Sequence, residues 1–113
     1  ADELAEMLTN LPGVFVNFDP ANMVLYGKGD PVRAVGILAP WIRHVHVKDA
    51  LFSKTPGEWG TEVEWTKGDV RADDFIAALD KVGYTGFLAV EREAGEDRPG
   101  DIARAVEDLK KRS

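Results

Sequence analysis

Asp19, His46 and Glu91 are the residues of this 113-residue chain with the most chemistry to offer. Each stands toward the C-terminal end of a short apolar or alternating run: Asp19 after Val14-Phe15-Val16-Asn17-Phe18, His46 in Ile42-Arg43-His44-Val45-His46-Val47-Lys48, and Glu91 after Phe87-Leu88-Ala89-Val90. If those runs are neighbouring strands about 4.8 Å apart, their ends can bring a carboxylate, an imidazole and a second carboxylate onto one ion through bonds of roughly 2.0–2.2 Å. Separation along the chain is then immaterial, and inward orientation decides. Alternation places His44, His46 and Lys48 on one side of their strand, Asn17 with Asp19, and Ala89, Glu91 and Glu93 together.

Every one of these residues also has a plainer reading. Asp19 before Pro20 has the form of a helix N-cap followed by Pro at the first helical position. A single histidine is more often a hydrogen-bonded core residue than a ligand, and His44, one layer deeper than His46, reads as packing or as support for a ligand. Glu91 and Glu93 flank Arg92 as the solvated end of an edge strand would, although a carboxylate directly after four apolar residues is costly without a partner. The chain has no Cys, so thiolate sites, cysteine nucleophiles and disulfides are excluded, and any metal is held by oxygen and imidazole.

The elements that must position these groups follow from the hydrophobic pattern. Residues 2–9 place Leu4, Met7 and Leu8 at helical spacing, and Leu11-Pro12-Gly13 closes the segment. A buried strand over 14–18 ends at Asp19. Asp30 before Pro31 caps a second helix whose apolar side is Val32, Val35, Ile37 and Leu38, and residues 42–48 alternate as a second strand. Residues 49–70 lack periodicity and read as a long loop of the kind that often forms a lid. Asp73 or Asp74 caps a third helix with Phe75, Ile76, Leu79 and Val82 on one face and Gly83 at its left-handed end. A third strand over 86–91 precedes a last helix capped by Asp101, with Ile102, Ala105, Val106 and Leu109 on its buried side.

Helices joining near-continuous apolar strands through right-handed crossovers define an α/β fold with a parallel sheet. Three such strands leave two bare edges, which invite pairing with more chain. Twenty acidic against fourteen basic residues give a net charge of -6, a surface that repels phosphate backbones and anionic headgroups, so neither a nucleic acid nor a membrane is the expected partner. No apolar stretch approaches the ~20 residues of a membrane span. The first residues lack the basic start and apolar core of a signal peptide, so the expected location is cytoplasmic.

The runs Asn17-Phe18-Asp19-Pro20-Ala21-Asn22-Met23, Arg43-His44-Val45-His46-Val47-Lys48-Asp49 and Gly83-Tyr84-Thr85-Gly86-Phe87-Leu88-Ala89-Val90-Glu91-Arg92-Glu93, in that order, resemble the last three strands of the xylose isomerase-like TIM barrels. That superfamily includes sugar-phosphate isomerases and epimerases, ketose 3-epimerases, inosose dehydratases and endonuclease IV. The resemblance covers nearly the whole chain. It implies a partial (β/α)8 barrel, the last three β/α units of a fold that needs about 250 residues, so that residues 1–113 form a single partial domain and the first half of the barrel lies elsewhere.

Residue by residue, the resemblance places the family's metal-binding Asp on Asp19, its His on His46 and its last Glu on Glu91, with a fourth ligand, a fifth-strand Glu, upstream of Ala1. Such a set suits Mn²⁺, Mg²⁺ or Co²⁺, with Zn²⁺ also possible. In the epimerase branch two glutamates bind the metal and act as acid and base on a sugar or polyol, and Glu91 would be one of them. Lys48 and Asp49 match a Lys-Asp pair of the family, as substrate contacts, as support for the ligands, or as an ordinary surface ion pair. Asn22 departs from the pattern, since many relatives carry a His there, which weakens the case for a multi-zinc centre of the endonuclease IV kind. Trp59 or Trp65 could cover a sugar, with at least one of them packed in the core. The implied function is a divalent-metal-dependent isomerase or epimerase of carbohydrate metabolism, inactive without the missing Glu. Two alternatives stand beside it: a non-catalytic half-barrel that forms homo-oligomers through its strand edges, and a dehydratase-like lyase on the same scaffold.

Overall fold

The computed structural model describes residues 1–112. A first helix, α1 (Asp2–Thr9), leads into strand β1 (Val16–Phe18), a short helix α2 (Pro20–Leu25) and helix α3 (Pro31–Leu38). One 3₁₀ turn then delivers the chain to strand β2 (Ile42–Val47). Strands β3 (Asp49–Leu51) and β4 (Thr61–Val63), helix α4 (Ala72–Lys81), strand β5 (Phe87–Val90) and helix α5 (Arg98–Lys111) complete the order. Strands β1, β2 and β5 form a three-stranded parallel sheet with β2 in the centre, as the alternation of strands and helices predicts.

The two faces of the sheet differ. Along β2 the fully buried Val45 and Val47 face the helices, while the intervening His44 and His46 are only half-buried on the opposite face. On the covered side Phe18 stacks on Phe75 of α4 with ring centroids 5.9 Å apart, and Trp65 meets the same Phe75 edge-on. Val24, Val35, Leu38 and Leu79 close this core. Asp30 caps α3 as expected, its Oδ1 accepting from the Val32 N–H at 2.9 Å, and Gly83 takes the left-handed φ of +73° beyond α4.

Several boundaries differ from the pattern-based expectation, each for a local reason. Val14 and Phe15 lie outside β1 and are exposed, because pairing begins at Val16 opposite Ile42 and Phe15 instead lies beneath the Arg43 guanidinium, 4.2 Å from its ring centroid. Neither Asp73 nor Asp74 caps α4. Both sit in its first turn, where the helix dipole favours them, and the capping position is Arg71 in a left-handed conformation, its guanidinium held by both oxygens of Asp30. Helix α5 starts earlier than expected, at Arg98, with Asp97 as its cap; Asp101 is turned away to Arg92 and Arg104. Of the expected buried side of α5, only Ala105 is fully covered.

The 49–70 connection is the largest correction. Instead of a free lid it contains the antiparallel hairpin β3–β4 and a loop wound around one buried carboxylate. Asp49 Oδ1 accepts from the N–H groups of Ala50 and Val70, and Oδ2 from those of Thr66 and Gly68, all within 2.8–3.1 Å. Gly68 has to be glycine, since a Cβ there would stand 2.4 Å from Asp49 Oδ1 and 2.5 Å from the Ala50 carbonyl oxygen. The hairpin is tied to α2 by a 2.8 Å bond from the Gly60 N–H to the Leu25 carbonyl.

Candidate metal centre

The register of the parallel sheet brings the strand ends together. Phe18 is paired with Val45, so Asp19, one residue on, stands level with His46; His46 is itself paired with Ala89, two residues before Glu91. The Glu91 N–H continues the ladder by donating to the Val47 carbonyl at 3.0 Å, and its side chain reaches back over the small Ala89 to His46. A glutamate spans that extra step where an aspartate would fall short. One ligand atom from each of Asp19, His46 and Glu91 lies within 4.8 Å of the other two.

Asp19 carries both readings that its sequence allowed. Its Oδ1 accepts the Asn22 N–H at 3.1 Å and caps α2, which leaves Oδ2 to face the cluster. Glu91 Oε1 contacts His46 Nδ1, and His44 packs edge-on against His46 at 5.7 Å and against Phe87 at 6.4 Å. Asn22 is exposed and meets the cluster through its backbone N–H, which donates to Asp19.

Lys48 is drawn into the same place. Its Nζ lies 3.2 Å from Asp19 Oδ2, 3.7 Å from Glu91 Oε2 and 3.3 Å from Glu93 Oε1, and its side chain is only 4% exposed. Burial alone would push this ammonium down, but the carboxylates of Asp19 and Glu93 override it and hold Lys48 above the ordinary lysine value. A surface Lys48–Asp49 ion pair is therefore excluded. Asp49 is fully buried on the other side of the backbone with both oxygens taken by loop amides, away from the cluster.

Two groups make contacts that the sequence pattern does not disclose. Glu93 was placed beside Glu91 by alternation, but its bond to Lys48 depends on the lysine being pulled inward. Glu62 of β4 carried no signal at all. Its Oε2 accepts from Arg92 Nη1 at 2.7 Å and from the N–H groups of Glu93 and Ala94 at 3.0 and 3.2 Å, so the hairpin clamps the segment that presents Glu91. Arg92 also donates to Asp101 at 2.7 Å, which ties that segment to α5. The two tryptophans separate: Trp65 is buried and donates from Nε1 to Asp108 at 2.9 Å, whereas Trp59 is 75% exposed and edge-on to Tyr26 at 5.2 Å.

The donor set fits a divalent cation. Two ligands of such an ion stand roughly 3–4.2 Å apart when bonds are about 2.1 Å, so small side-chain rotations suffice to close the present spacing. A half-buried site with two carboxylates and one imidazole suits a hard or borderline ion.

A parallel α/β sheet with carboxylates and an imidazole gathered at its strand ends defines a class of protein in which those ends build the active site. The particular family follows from comparison: the model of the xylose isomerase-like TIM barrel family matches residues 1–112, and the chain belongs to that family. The fold is similar to the crystal structure of a xylose isomerase domain protein from Planctomyces limnophilus, with a TM-score of 0.89 and 38% sequence identity over 96% of this chain. The chain spans 42% of the length of that structure. No match is found among curated proteins. Among the described residues, no helix is long and apolar enough to cross a membrane.

Proposed function

We propose that the chain is the C-terminal part of a (β/α)8 barrel that binds a divalent cation and isomerises or epimerises a sugar or sugar phosphate in the cytoplasm. The observation that carries this reading is the convergence of Asp19, His46 and Glu91 from three parallel strand ends. The half-open face that bears them supports the barrel, because in a closed barrel that face is interior and the edges at β1 and β5 are paired. Residues 1–113 are then one partial domain, and β1, β2 and β5 are its sixth, seventh and eighth strands.

Asp19, His46 and Glu91 would hold the cation, Mn²⁺, Mg²⁺ or Co²⁺ ahead of Zn²⁺. Bound there, the ion supplies positive charge that polarises a substrate carbonyl oxygen. Glu91 takes a proton from the carbon beside that carbonyl or delivers one there, the opposite transfer falling to a second group, and His46, in contact with it, fixes the carboxylate's orientation. A glutamate from a strand outside this chain completes both the ligand set and the acid–base pair, so the chain alone is inactive. Calorimetric titration with MnCl₂ tests the reading: one site is expected, weakened at least about tenfold by Asp19→Ala or His46→Ala. A wild-type chain that takes up no Mn²⁺ sinks it.

Exposure at the sheet edges favours a second reading alongside the first. Phe87 is 81% exposed on β5, and Val14 and Phe15 are exposed beside β1. Covering such edges with a second copy gives a homo-oligomer. Light scattering is expected to report a dimer or larger, and a monomer would remove this reading.

A further inference from the structure

Lys48 is an unusual neighbour for a cation site. A buried ammonium between carboxylates competes with the ion those carboxylates would bind, so its presence needs a physical reason. Three carboxylates, of Asp19, Glu91 and Glu93, surround Nζ within 3.2–3.7 Å. Together with Lys48 they leave two negative charges. Without the lysine they would leave three, with the Lys48 position still nearly closed to water. Close-range charge of this kind acts on an ion in proportion to the ion's own charge, so one extra negative charge strengthens binding of a trivalent ion more than of a divalent one.

We propose that Lys48 sets the ion selectivity of the cluster, lowering its negative charge by one and so favouring divalent over trivalent cations. The inference rests on the metal-binding reading of Asp19, His46 and Glu91. It assigns Lys48 a role distinct from holding the fold. A lysine that only shaped the site would, on removal, weaken every ion alike, whereas a lysine that sets its charge shifts the ratio between ions. The geometry also supplies a variant of opposite sign. The side chain of Glu93 is 70% exposed and, among the described residues, meets the cluster through Lys48, so Glu93→Gln removes a negative charge without opening the core.

The experiment is calorimetric titration of the wild-type chain, Lys48→Met and Glu93→Gln with MnCl₂ and with TbCl₃ at equal ionic strength. Lys48→Met is expected to bind Mn²⁺ about tenfold more tightly and Tb³⁺ tighter still, raising the Tb³⁺ preference by about threefold or more over the wild type. Glu93→Gln is expected to lower that preference by about twofold, its exposed charge being more screened. An unchanged ratio in Lys48→Met, or equal weakening of both ions, overturns the role given to Lys48 while leaving the metal site standing. If Lys48→Met does not fold, Glu93→Gln decides alone: a lowered ratio supports the proposal and an unchanged one overturns it. A wild-type chain that binds neither ion removes the metal site and this inference with it.

Discussion

Lys48 and Asp49 are adjacent, buried and charged, yet the molecule satisfies them in opposite ways. Lys48 points to the open face of the sheet and meets carboxylates on side chains that can rotate. Asp49 points to the hairpin and meets four backbone amides that cannot move without unwinding the loop. Both groups have raised pKa values, which means opposite things. For Lys48 the full charges of Asp19 and Glu93 outweigh desolvation and its charged form is favoured; for Asp49 burial outweighs the amide dipoles and its charged form is disfavoured. One residue step thus separates a centre built from exchangeable partners from a centre built into the backbone.

The largest expected effect follows from that difference. Asp49→Ala leaves the N–H groups of Ala50, Thr66, Gly68 and Val70 without their acceptor, and it should cost about 4 kcal/mol of unfolding free energy. Urea denaturation measures it, and a loss below about 1 kcal/mol would show that the loop does not depend on the carboxylate. Lys48→Met should cost less, about 1–2 kcal/mol in the absence of metal. The carboxylates it strands are partly solvated, with side chains of Asp19 and Glu91 at 15% and 30% exposure. Equal losses in the two variants would erase the distinction between a movable and a fixed arrangement.

The same distinction explains what the sequence disclosed. Strands and their ends were legible because alternation in residues 42–48 and the apolar run before Glu91 are local patterns, and parallel pairing then brings Asp19, His46 and Glu91 together whatever the separation between them. Asp30 and Gly83 were legible because a cap needs only its own helix. The hairpin was not. Its strands have three residues each, too short for a period, and its order comes from a single aspartate bonding amides up to 21 residues away. The start of α5 was misplaced for a related reason: Asp97 and Asp101 both suit a cap, and the choice is made by Arg92, which engages Asp101 from another element. For Lys48 the sequence left a substrate contact, support for the ligands and a surface ion pair all open, because its partners lie beyond the ends of β1 and β5. Side-chain to backbone bonds and ion pairs across elements leave no periodic trace.

A third arrangement, between the two extremes, sharpens the comparison with the smallest expected effect. Asp108 on α5 accepts from Arg112 Nε at 2.7 Å and from the Trp65 indole, with its side chain 28% exposed. The Arg112 hydrogen bond holds this carboxyl below the usual carboxylate range. A depressed folded value means that the stabilisation is fully present above the unfolded pKa of about 3.9 and is lost as pH falls through the folded value. Asp108→Asn should therefore be about 0.5 kcal/mol less stable than the wild type at neutral pH, a figure kept small by solvent screening. The asparagine oxygen still accepts from Trp65, so only the charge is removed. The gap should close as the pH is taken well below the ordinary carboxylate range. Urea midpoints for both proteins across that interval check it, and a gap that stays constant into acid would assign the contribution of Asp108 to packing rather than to its charge.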